Sequence, residues 1–452
     1  MAATEATESL GRAAAQPAGR PLLGTGSALR LGARRVRLWG IGLFAMGVVP
    51  IIAAPLNRWY DWGALWAAGA TAGGPDLVDA GRHVAWQAAN GVPKAFFSYP
   101  PAAAWLFWPF ARLSVDASFW VQAALMVACV AGAGLVAARV YGLTPGLAVL
   151  AALAWAPTGA SIVIGQNAPF ALLIAMLAIW ALASDRPWLA GLAVAVLWYK
   201  PTLALGFVAL FLVRGRWREL GVAIAGGGVA FLLSVAAAGG DWGWLATWLD
   251  GARVWLPADA VRNADKAISL PGLLGRLPVP WFVPVLGGAA LAVAAIPGLR
   301  RAGIVEAASA ACLIGLAAGP RAWGYEAALA FPFVCWVLAG GVAEPWRTRV
   351  VVALYLSSLL WMFSFVTQIS SVAVIVLAAS AWWIWRWRPG GRSVGRSLGL
   401  DGPPAPPLFS STSHGEVDDG SLAVAQRHDG AADTGRSQGR GTLRLRDRPA
   451  DP

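Results

Sequence analysis

Residues 118–138, SFWVQAALMVACVAGAGLVAA, form an apolar run without a charged side chain, and Arg139 follows directly. A helix of this length extends about 31 Å at 1.5 Å per residue, which matches the roughly 30 Å hydrocarbon core of a bilayer. The run therefore predicts a membrane-spanning helix that ends at an arginine.

The composition of the whole chain resembles that of this segment. Of its 452 residues, 58% are hydrophobic and only 13% are charged, and the mean hydropathy is +0.60. A soluble domain carries roughly a quarter charged residues and would have no place for so much apolar surface. Composition therefore excludes a soluble globular enzyme, a disordered chain and, despite a net charge of +12, a nucleic-acid-binding protein. It predicts an all-α polytopic membrane protein.

Apolar runs recur along the chain and give twelve candidate spans. They lie near residues 38–55, 118–138, 145–163, 168–184, 187–199, 201–213, 219–238, 280–298, 303–319, 327–342, 349–366 and 370–386. The runs at 187–199 and 201–213 would each extend only about 20 Å as helices, less than the hydrocarbon core. An alternative joins these two into one broken helix and makes 101–113 a span instead.

Arginines at the ends of the runs decide between these topologies. With twelve spans they fall on the cytoplasmic side, as the positive-inside rule expects. The alternative moves Arg139 and Arg186 outside and leaves Lys200 within the membrane, which is costly. We therefore expect a multi-pass protein of the plasma (inner) membrane with both termini cytoplasmic. The transmembrane domain, 38–388, would lie between a disordered leader, 1–37, and a disordered tail, 389–452.

This topology places residues 56–117 and 239–279 outside the membrane, with short interfacial helices in the first of these segments. Polar residues collect at the same face. The candidate site residues are Arg58, Asp61, Asp76, Tyr99, Gln166, Asn167, Lys200, Arg321 and Glu326. Carboxylates, cations and neutral donors on one face suit a phosphorylated lipid and an acceptor that bears a hydroxyl group.

Several of these motifs, in their order and spacing, resemble glycosyltransferase family 87. They are Asp61-Trp62-Gly63, Pro75-Asp76-Leu77, Tyr99-Pro100-Pro101, Gly165-Gln166-Asn167, Tyr199-Lys200-Pro201 and Tyr325-Glu326. The resemblance covers about residues 38–388. It implies a GT-C type bundle of about twelve transmembrane helices and a mannosyltransferase-like hexosyltransferase that uses a polyprenyl-phosphate sugar.

The resemblance also implies inverting transfer, on the non-cytoplasmic face, to a lipid or glycan acceptor. Asp61 takes the position of the base, because an alcohol is a poor nucleophile until its proton is removed; Asp76 is the second choice. The leaving phosphate needs a cation, which Lys200 or Arg58 would supply. Substrate contacts are expected from Tyr99, Gln166, Asn167, Arg321 and Glu326. No cofactor or covalent nucleophile is expected, and nothing in the sequence demands a divalent metal.

Each of these residues also has a structural interpretation. Asp61 could cap an interfacial helix, and Glu326 could cap the helix that follows Arg321. Lys200 could extend to the membrane interface. Gln166 and its neighbour Asn167 could complete a tight turn. His83 is expected to be a solvated loop residue.

The principal alternative function is a transporter or a flippase for lipid-linked oligosaccharides. That function predicts ionisable residues deep within spans and two related halves. Nearly all charges lie at the predicted ends of spans, with Glu306 as an exception, and this favours the enzyme. A non-catalytic membrane scaffold is a third possibility and would require nothing of Asp61.

Overall fold

The structure, a computed structural model, describes residues 60–280, 282–360 and 370–388. The predicted leader, the first predicted span at 38–55, Arg58 and the predicted tail lie outside these ranges. Where the chain is described it is helical, with one isolated antiparallel bridge between Ala267 and Trp323. The predicted all-α class is therefore confirmed for the described part of the chain.

We number the α-helices of the described ranges in chain order. They are α1 (Tyr60–Thr71), α2 (Ala80–Ala89), α3 (Ala104–Phe107), α4 (Val115–Tyr141), α5 (Pro145–Ala154), α6 (Ala156–Ile164), α7 (Ala168–Ala183), α8 (Pro187–Val196), α9 (Pro201–Arg214), α10 (Trp217–Ala237), α11 (Trp244–Arg262), α12 (Leu270–Leu274), α13 (Phe282–Arg301), α14 (Ile304–Ala318), α15 (Phe331–Trp336), α16 (Glu344–Leu360) and α17 (Ser371–Trp387).

Short 3-10 and π segments join several of these helices. The 3-10 helices are Pro75–Leu77, Pro101–Ala103, Phe110–Arg112, Leu197–Tyr199, Ala264–Lys266 and Gly324–Ala330, and Val337–Gly341 is a π-helical segment.

Four of the helical segments are long and apolar enough to cross a bilayer: α4, α10, α13 and the composite segment Gly324–Gly341. The α5 and α6 helices meet at an angle of 58° and give a fifth candidate if they form one span. Several other helices, among them α7, α9 and α14, are apolar but shorter. These helices indicate a membrane protein, whereas the number of twelve spans stays a prediction.

The two predicted topologies differ at residues 101–113 and 187–213, and the structure describes both regions. Residues 101–113 contain only α3 between two 3-10 helices, so no continuous helix supports a span there. Residues 187–213 contain α8 and a 3-10 turn, then α9, with Lys200 as the residue before α9. The break at Lys200 follows from Pro201, because proline is well suited to the first position of a helix and disfavours helical backbone before it.

Local sequence signals set the helix ends that matter for the site. Ser114 accepts a hydrogen bond from the backbone N–H of Ala117 and starts α4. Gly165 ends α6 with φ of +79°, and a Cβ at this position would overlap Trp62 of α1. Glycine is thus needed at residue 165 both for its backbone conformation and for the close approach of α1.

The helices α9 and α14 pack closely against each other. A Cβ on Gly206 of α9 would overlap the carbonyl oxygen of Ala311 in α14. Small residues of this kind let helices approach closely in an apolar setting. Helices α7 and α13 also pack against α14, and the 3-10 helix Gly324–Ala330 packs against α6. The ends of α6, α9 and α14 thereby come together around residues 165, 200 and 326.

Candidate active site

A cavity of about 540 Å³ lies beside α1 and the segment 94–99. Asp61, in the first turn of α1, is half-buried and lines this cavity. The next residue, Trp62, is fully buried and donates from Nε1 to the Ser118 hydroxyl of α4, 3.0 Å away. This contact fixes α1 against α4 and so sets the position of the Asp61 carboxylate.

Gln166 is held next to Asp61 by the end of α6. Its backbone N–H donates to the carbonyl oxygen of Ser161 at 2.7 Å, and its own carbonyl oxygen accepts from Gln122 Nε2 at 3.0 Å. The side-chain Nε2 then donates to Asp61 Oδ2, also at 3.0 Å. The Gln166 side chain therefore contacts the predicted base and does not merely complete the turn.

Tyr99 continues this network. Its hydroxyl donates to Gln166 Oε1 at 2.8 Å, and Lys200 Nζ lies 3.4 Å from the same hydroxyl oxygen. The Tyr99 ring stacks on Tyr199 with the ring planes 8° apart. Lys200 forms an ion pair with Glu326, whose second carboxylate oxygen accepts from the backbone N–H of Trp323 at 2.8 Å.

The chemistry of the donors fixes the direction of every hydrogen bond in this network. An ammonium group can only donate, so the Tyr99 oxygen must accept from Lys200. Burial raises the pKa of Tyr99 above its ordinary value of 10, so the phenol keeps its proton and donates it to Gln166. Gln166 must then present its NH₂ group to Asp61. One polar network thus runs from the Lys200–Glu326 pair to the predicted base.

Burial raises the pKa of Asp61 above its ordinary value of 3.8. The hydrogen bond from Gln166 and the charges of Lys266 and Lys200 act in the opposite direction. Within the described ranges Asp61 forms no ion pair, and its one hydrogen bond comes from Gln166. A desolvated carboxylate with an oxygen left over for a ligand is a stronger base than an exposed one.

The other predicted site residues differ in their position relative to the cavity. Arg321 lines the cavity, forms an ion pair with Asp259 and lies over the Trp323 ring. Asn167 is buried and does not line the cavity, although the preceding residue, Gln166, does. Its Oδ1 lies 3.4 Å from the Tyr199 hydroxyl. Asp76 sits in the 3-10 helix Pro75–Leu77 and does not line the cavity, so the structure does not bring it to the site.

Glu326 has one of the two roles that the sequence left open, the helix cap, and a second role that the sequence did not predict. It caps the 3-10 helix Gly324–Ala330 through the Trp323 N–H and also forms the ion pair with Lys200. Lys200 is half-buried and its charge is already matched by Glu326. It does not line the cavity, although Tyr99 and Tyr325, whose rings it lies over, do.

Sequence reasoning missed four charged residues of the cavity wall: Lys94, Asp259, Arg262 and Lys266. One signal was available. The chain has 35 basic residues but only three lysines, and all three lie at this cavity or next to it: Lys94, Lys200 and Lys266. Arginine serves the predicted ends of spans, so the rare lysines marked the site.

The expectation for His83 was wrong. His83 is almost completely buried in α2, with Nδ1 3.5 Å from the Thr71 hydroxyl and its ring packed on Phe97. Burial lowers the pKa of His83 to about 4. The imidazole is therefore neutral near pH 7 and serves to pack α2 against α1 and the segment that carries Tyr99. The buried side chains of α2 are the polar residues His83 and Gln87, so a search for apolar spacing did not reveal this face.

A sequence model of glycosyltransferase family 87 matches residues 96–320. The chain belongs to glycosyltransferase family 87. Together with the apolar helices, this membership indicates a membrane glycosyltransferase. Comparison with curated proteins and comparison with solved structures give no significant match.

The match to family 87 includes the part of the cavity wall around Tyr99, Gln166 and Lys266. It is narrower than the resemblance over residues 38–388, because it begins after Asp61 and ends just before Arg321. Asp61 is therefore a candidate base because of its geometry. Its carboxylate borders the cavity and accepts a hydrogen bond from Gln166, which lies inside the matched segment.

Proposed function

We propose that the protein is a hexosyltransferase that takes a sugar, mannose in our proposal, from a polyprenyl-phosphate donor. The acceptor is a hydroxyl group of a lipid or glycan, and Asp61 is the base. In this proposal the site faces the non-cytoplasmic side of the plasma (inner) membrane, within a GT-C type bundle of about twelve spans whose termini are cytoplasmic. The polyprenyl chain enters laterally from the bilayer.

One observation carries this proposal: Asp61 borders a cavity of about 540 Å³ with one carboxylate oxygen bound by Gln166 and the other available to a ligand. A hydroxyl group at that second oxygen would be within reach of a base whose pKa burial has raised. The volume lies in the range of small-ligand sites, roughly 300–1,000 Å³. It suits the sugar and phosphate better than a whole polyprenyl lipid.

The proposed reaction is a single displacement. The acceptor oxygen forms a bond to the anomeric carbon, the bond from that carbon to the phosphate oxygen breaks, and the acceptor proton passes to Asp61. Because the leaving group is a phosphate, it needs a nearby positive charge rather than a proton donor. One displacement inverts the anomeric configuration, and no covalent enzyme intermediate is formed. Neither a cofactor nor a resident metal has a part in this proposal.

The test is a transfer assay with membranes that carry the wild type or Asp61→Asn. Radiolabelled polyprenyl-phosphate mannose and a lipid extract are supplied, and labelled products are separated and analysed for their anomeric configuration. We expect transfer with inversion in the wild type and a loss of about 10²–10⁴-fold in Asp61→Asn, the usual contribution of a general base. Asp76→Asn is the matched control, because Asp76 does not line the cavity, and it should retain transfer.

Four outcomes would overturn parts of this proposal. Full transfer by Asp61→Asn would remove Asp61 as the base, and loss of transfer in Asp76→Asn alone would move that role to the second candidate. Retention of the anomeric configuration would exclude single displacement. Movement of the labelled lipid across the membrane without a new glycosidic bond would favour the flippase.

A further inference from the structure

The cavity wall carries an excess of positive charge. Its four basic side chains are Lys94, Arg262, Lys266 and Arg321, and its two acidic ones are Asp61 and Asp259. Arg321 and Asp259 form an ion pair with each other, so they neutralise one another. A surplus of two positive charges in a cavity that holds the candidate base calls for an anionic ligand.

Lys94 and Lys266 have ammonium groups that the protein does not neutralise. Both are exposed, and in the part of the chain that the structure describes neither forms an ion pair. Lys94 has no hydrogen-bond partner there, and Lys266 donates only to the neutral Asn263 Oδ1, at 2.7 Å. This contrasts with Lys200, whose charge Glu326 matches. Two lysines with unmatched charge on one cavity are therefore available to a ligand.

The backbone at both lysines is fixed by long-range contacts. Next to Lys94, the Gln87 side chain holds Ala95 in two directions: Nε2 donates to its carbonyl oxygen at 2.9 Å, and Oε1 accepts from its N–H at 2.7 Å. Next to Lys266, Ala267 forms the antiparallel bridge with Trp323. Such support places a flexible lysine side chain at a defined point of the wall.

Lys266 is also electrostatically close to the candidate base. Its charge lowers the pKa of Asp61, and it does so more strongly than the charge of Lys200. Lys266 and Asp61 line the same cavity, so an anion bound by Lys266 would share that cavity with the carboxylate that receives the acceptor proton. This is the arrangement that a displacement needs, with the base and the leaving group around one reacting carbon.

We propose that Lys94 and Lys266 form the subsite for the phosphate of the lipid-linked donor. This inference rests on the proposed function. In the reaction, the phosphodiester of the donor carries one negative charge, whereas the released polyprenyl phosphate carries close to two near neutral pH. The two ammonium groups of Lys94 and Lys266 match the charge of the released phosphomonoester better than that of the donor. The subsite thus stabilises the charge that develops on the leaving oxygen as its bond to the anomeric carbon breaks.

The test is equilibrium binding of polyprenyl monophosphate to the purified full-length protein in detergent, with the uncharged polyprenol as a second ligand. We expect Lys94→Gln and Lys266→Gln each to weaken phosphate binding about tenfold, the value of one charge-assisted contact. Polyprenol binding should stay at the wild-type level in both variants. Lys266→Arg should restore most of the phosphate affinity, because the charge is retained.

Arg253→Gln is the matched control for this experiment. Arg253 lies in α11, is exposed and pairs with Asp250, but it does not line the cavity. It should bind both ligands as the wild type does. Unchanged phosphate affinity in both Lys94→Gln and Lys266→Gln would overturn the subsite, and so would an equal loss of phosphate and polyprenol binding, which would indicate a general disturbance of the fold.

Asp61→Asn separates this inference from the proposed function. It should bind polyprenyl monophosphate at least as tightly as the wild type, because a negative charge is removed from the cavity. If the lysine variants lose phosphate affinity while Asp61→Asn retains sugar transfer, the subsite stands and the assignment of the base fails. If Asp61→Asn loses transfer while the lysine variants bind phosphate normally, the base stands and the subsite fails.

Discussion

The pair formed by α9 and α14 has a polar cluster at each end, and the two clusters use their charges differently. Near the start of α9, Lys200 pairs with Glu326 and contacts Tyr99. At the other end, Arg214 donates to the carbonyl oxygens of Leu299 and Ala302. The α9 helix has 14 residues, so the two ends lie about 20 Å apart.

The cluster at the Arg214 end is closed. Glu306, near the start of α14, accepts hydrogen bonds from the indoles of Trp383 and Trp387 at 3.1 and 2.9 Å. Each of these contacts joins α14 or α9 to another part of the bundle. Half-buried polar groups satisfied in this way help to hold helices in a single arrangement.

The cluster at the Lys200 end is open. Its hydrogen bonds run in one direction from Lys200 through Tyr99 and Gln166, and they end at the Asp61 carboxylate on the cavity. Burial of a charged group therefore does not by itself identify function. What distinguishes a candidate site is a polar network that ends at a ligand-sized space.

The largest effect is expected from Lys200→Met. Removal of one partner of a buried ion pair leaves the Glu326 charge uncompensated, which costs about 3–5 kcal/mol of stability. Transfer by the protein that remains folded should also fall, because Tyr99 loses the donor that orients it. Thermal unfolding in detergent and the transfer assay measure the two effects.

The double variant Lys200→Met/Glu326→Leu separates stability from positioning. It removes both charges, so most of the lost stability should return, whereas transfer should stay impaired. Recovery of both properties would show that the pair is structural, like the cluster around Arg214, and that the open network does not need Lys200.

The second effect concerns pH. If Asp61 acts as an ionised base, kcat/KM falls about tenfold for each pH unit below its pKa, and this acid limb lies above the ordinary value of 3.8 because burial raises that pKa. Gln166→Leu removes the hydrogen bond that lowers the pKa of Asp61, so the limb should move to higher pH. A limb that stays in place in Gln166→Leu would contradict the role of this contact.

The raised pKa of Asp61 also affects the stability of the fold. A carboxyl whose pKa is raised on folding binds its proton more readily in the folded protein, so its contribution to stability falls as pH rises through that pKa. Asp61→Asn should therefore unfold at a higher temperature than the wild type at pH 7 while transfer is lost. A lower unfolding temperature would show that the carboxylate stabilises the fold.

A smaller effect is expected when the hydroxyl group of one tyrosine is removed at each end of the pair formed by α9 and α14. Tyr99→Phe takes out the link between Lys200 and Gln166, and we expect kcat to fall about 10- to 30-fold, the value of one oriented hydrogen bond. Tyr141→Phe is the control: the Tyr141 hydroxyl lies 2.7 Å from that of Ser309, near the closed cluster. Tyr141→Phe should cost about 1 kcal/mol of stability and leave transfer unchanged. Equal effects on transfer would remove the distinction between the two ends.

Much of this arrangement could be predicted from the sequence, and the reasons are physical. Apolar runs predicted the bounds of α7, α8 and α9 closely, and each of these helices has a proline in its first turn, which acts locally. The run 145–163 was predicted as one span, whereas the structure bends it by 58° between α5 and α6. The turn residues Gln166 and Lys200 could be assigned to one face because chain direction alternates between successive helices. The contact of Asp61 with Gln166, which lies 105 residues away, was expected only as proximity.

The parts that could not be predicted depend on tertiary packing. The burial of His83 and the place of Lys94 and Lys266 on the cavity wall arise in short helices and loops outside the predicted spans, where no long apolar run indicates which side faces inward. In the sequence, Lys200 lies before α10 and Glu326 after α14. No local signal therefore specifies their ion pair. Segments outside the spans are therefore where sequence reasoning about this chain was least complete.

The smallest effect, and the sharpest test of the closed cluster, is expected from Glu306→Gln. The glutamine keeps an oxygen that can accept from Trp383 or Trp387, but the hydrogen bonds lose their assistance from charge, so stability should fall by about 1 kcal/mol. Transfer should stay within twofold of the wild type, because Glu306 lies at the end of α14 remote from the cavity. Chemical or thermal unfolding and the transfer assay measure this. Loss of transfer at nearly unchanged stability would make Glu306 a functional ionisable residue inside a helix, as the transporter alternative requires.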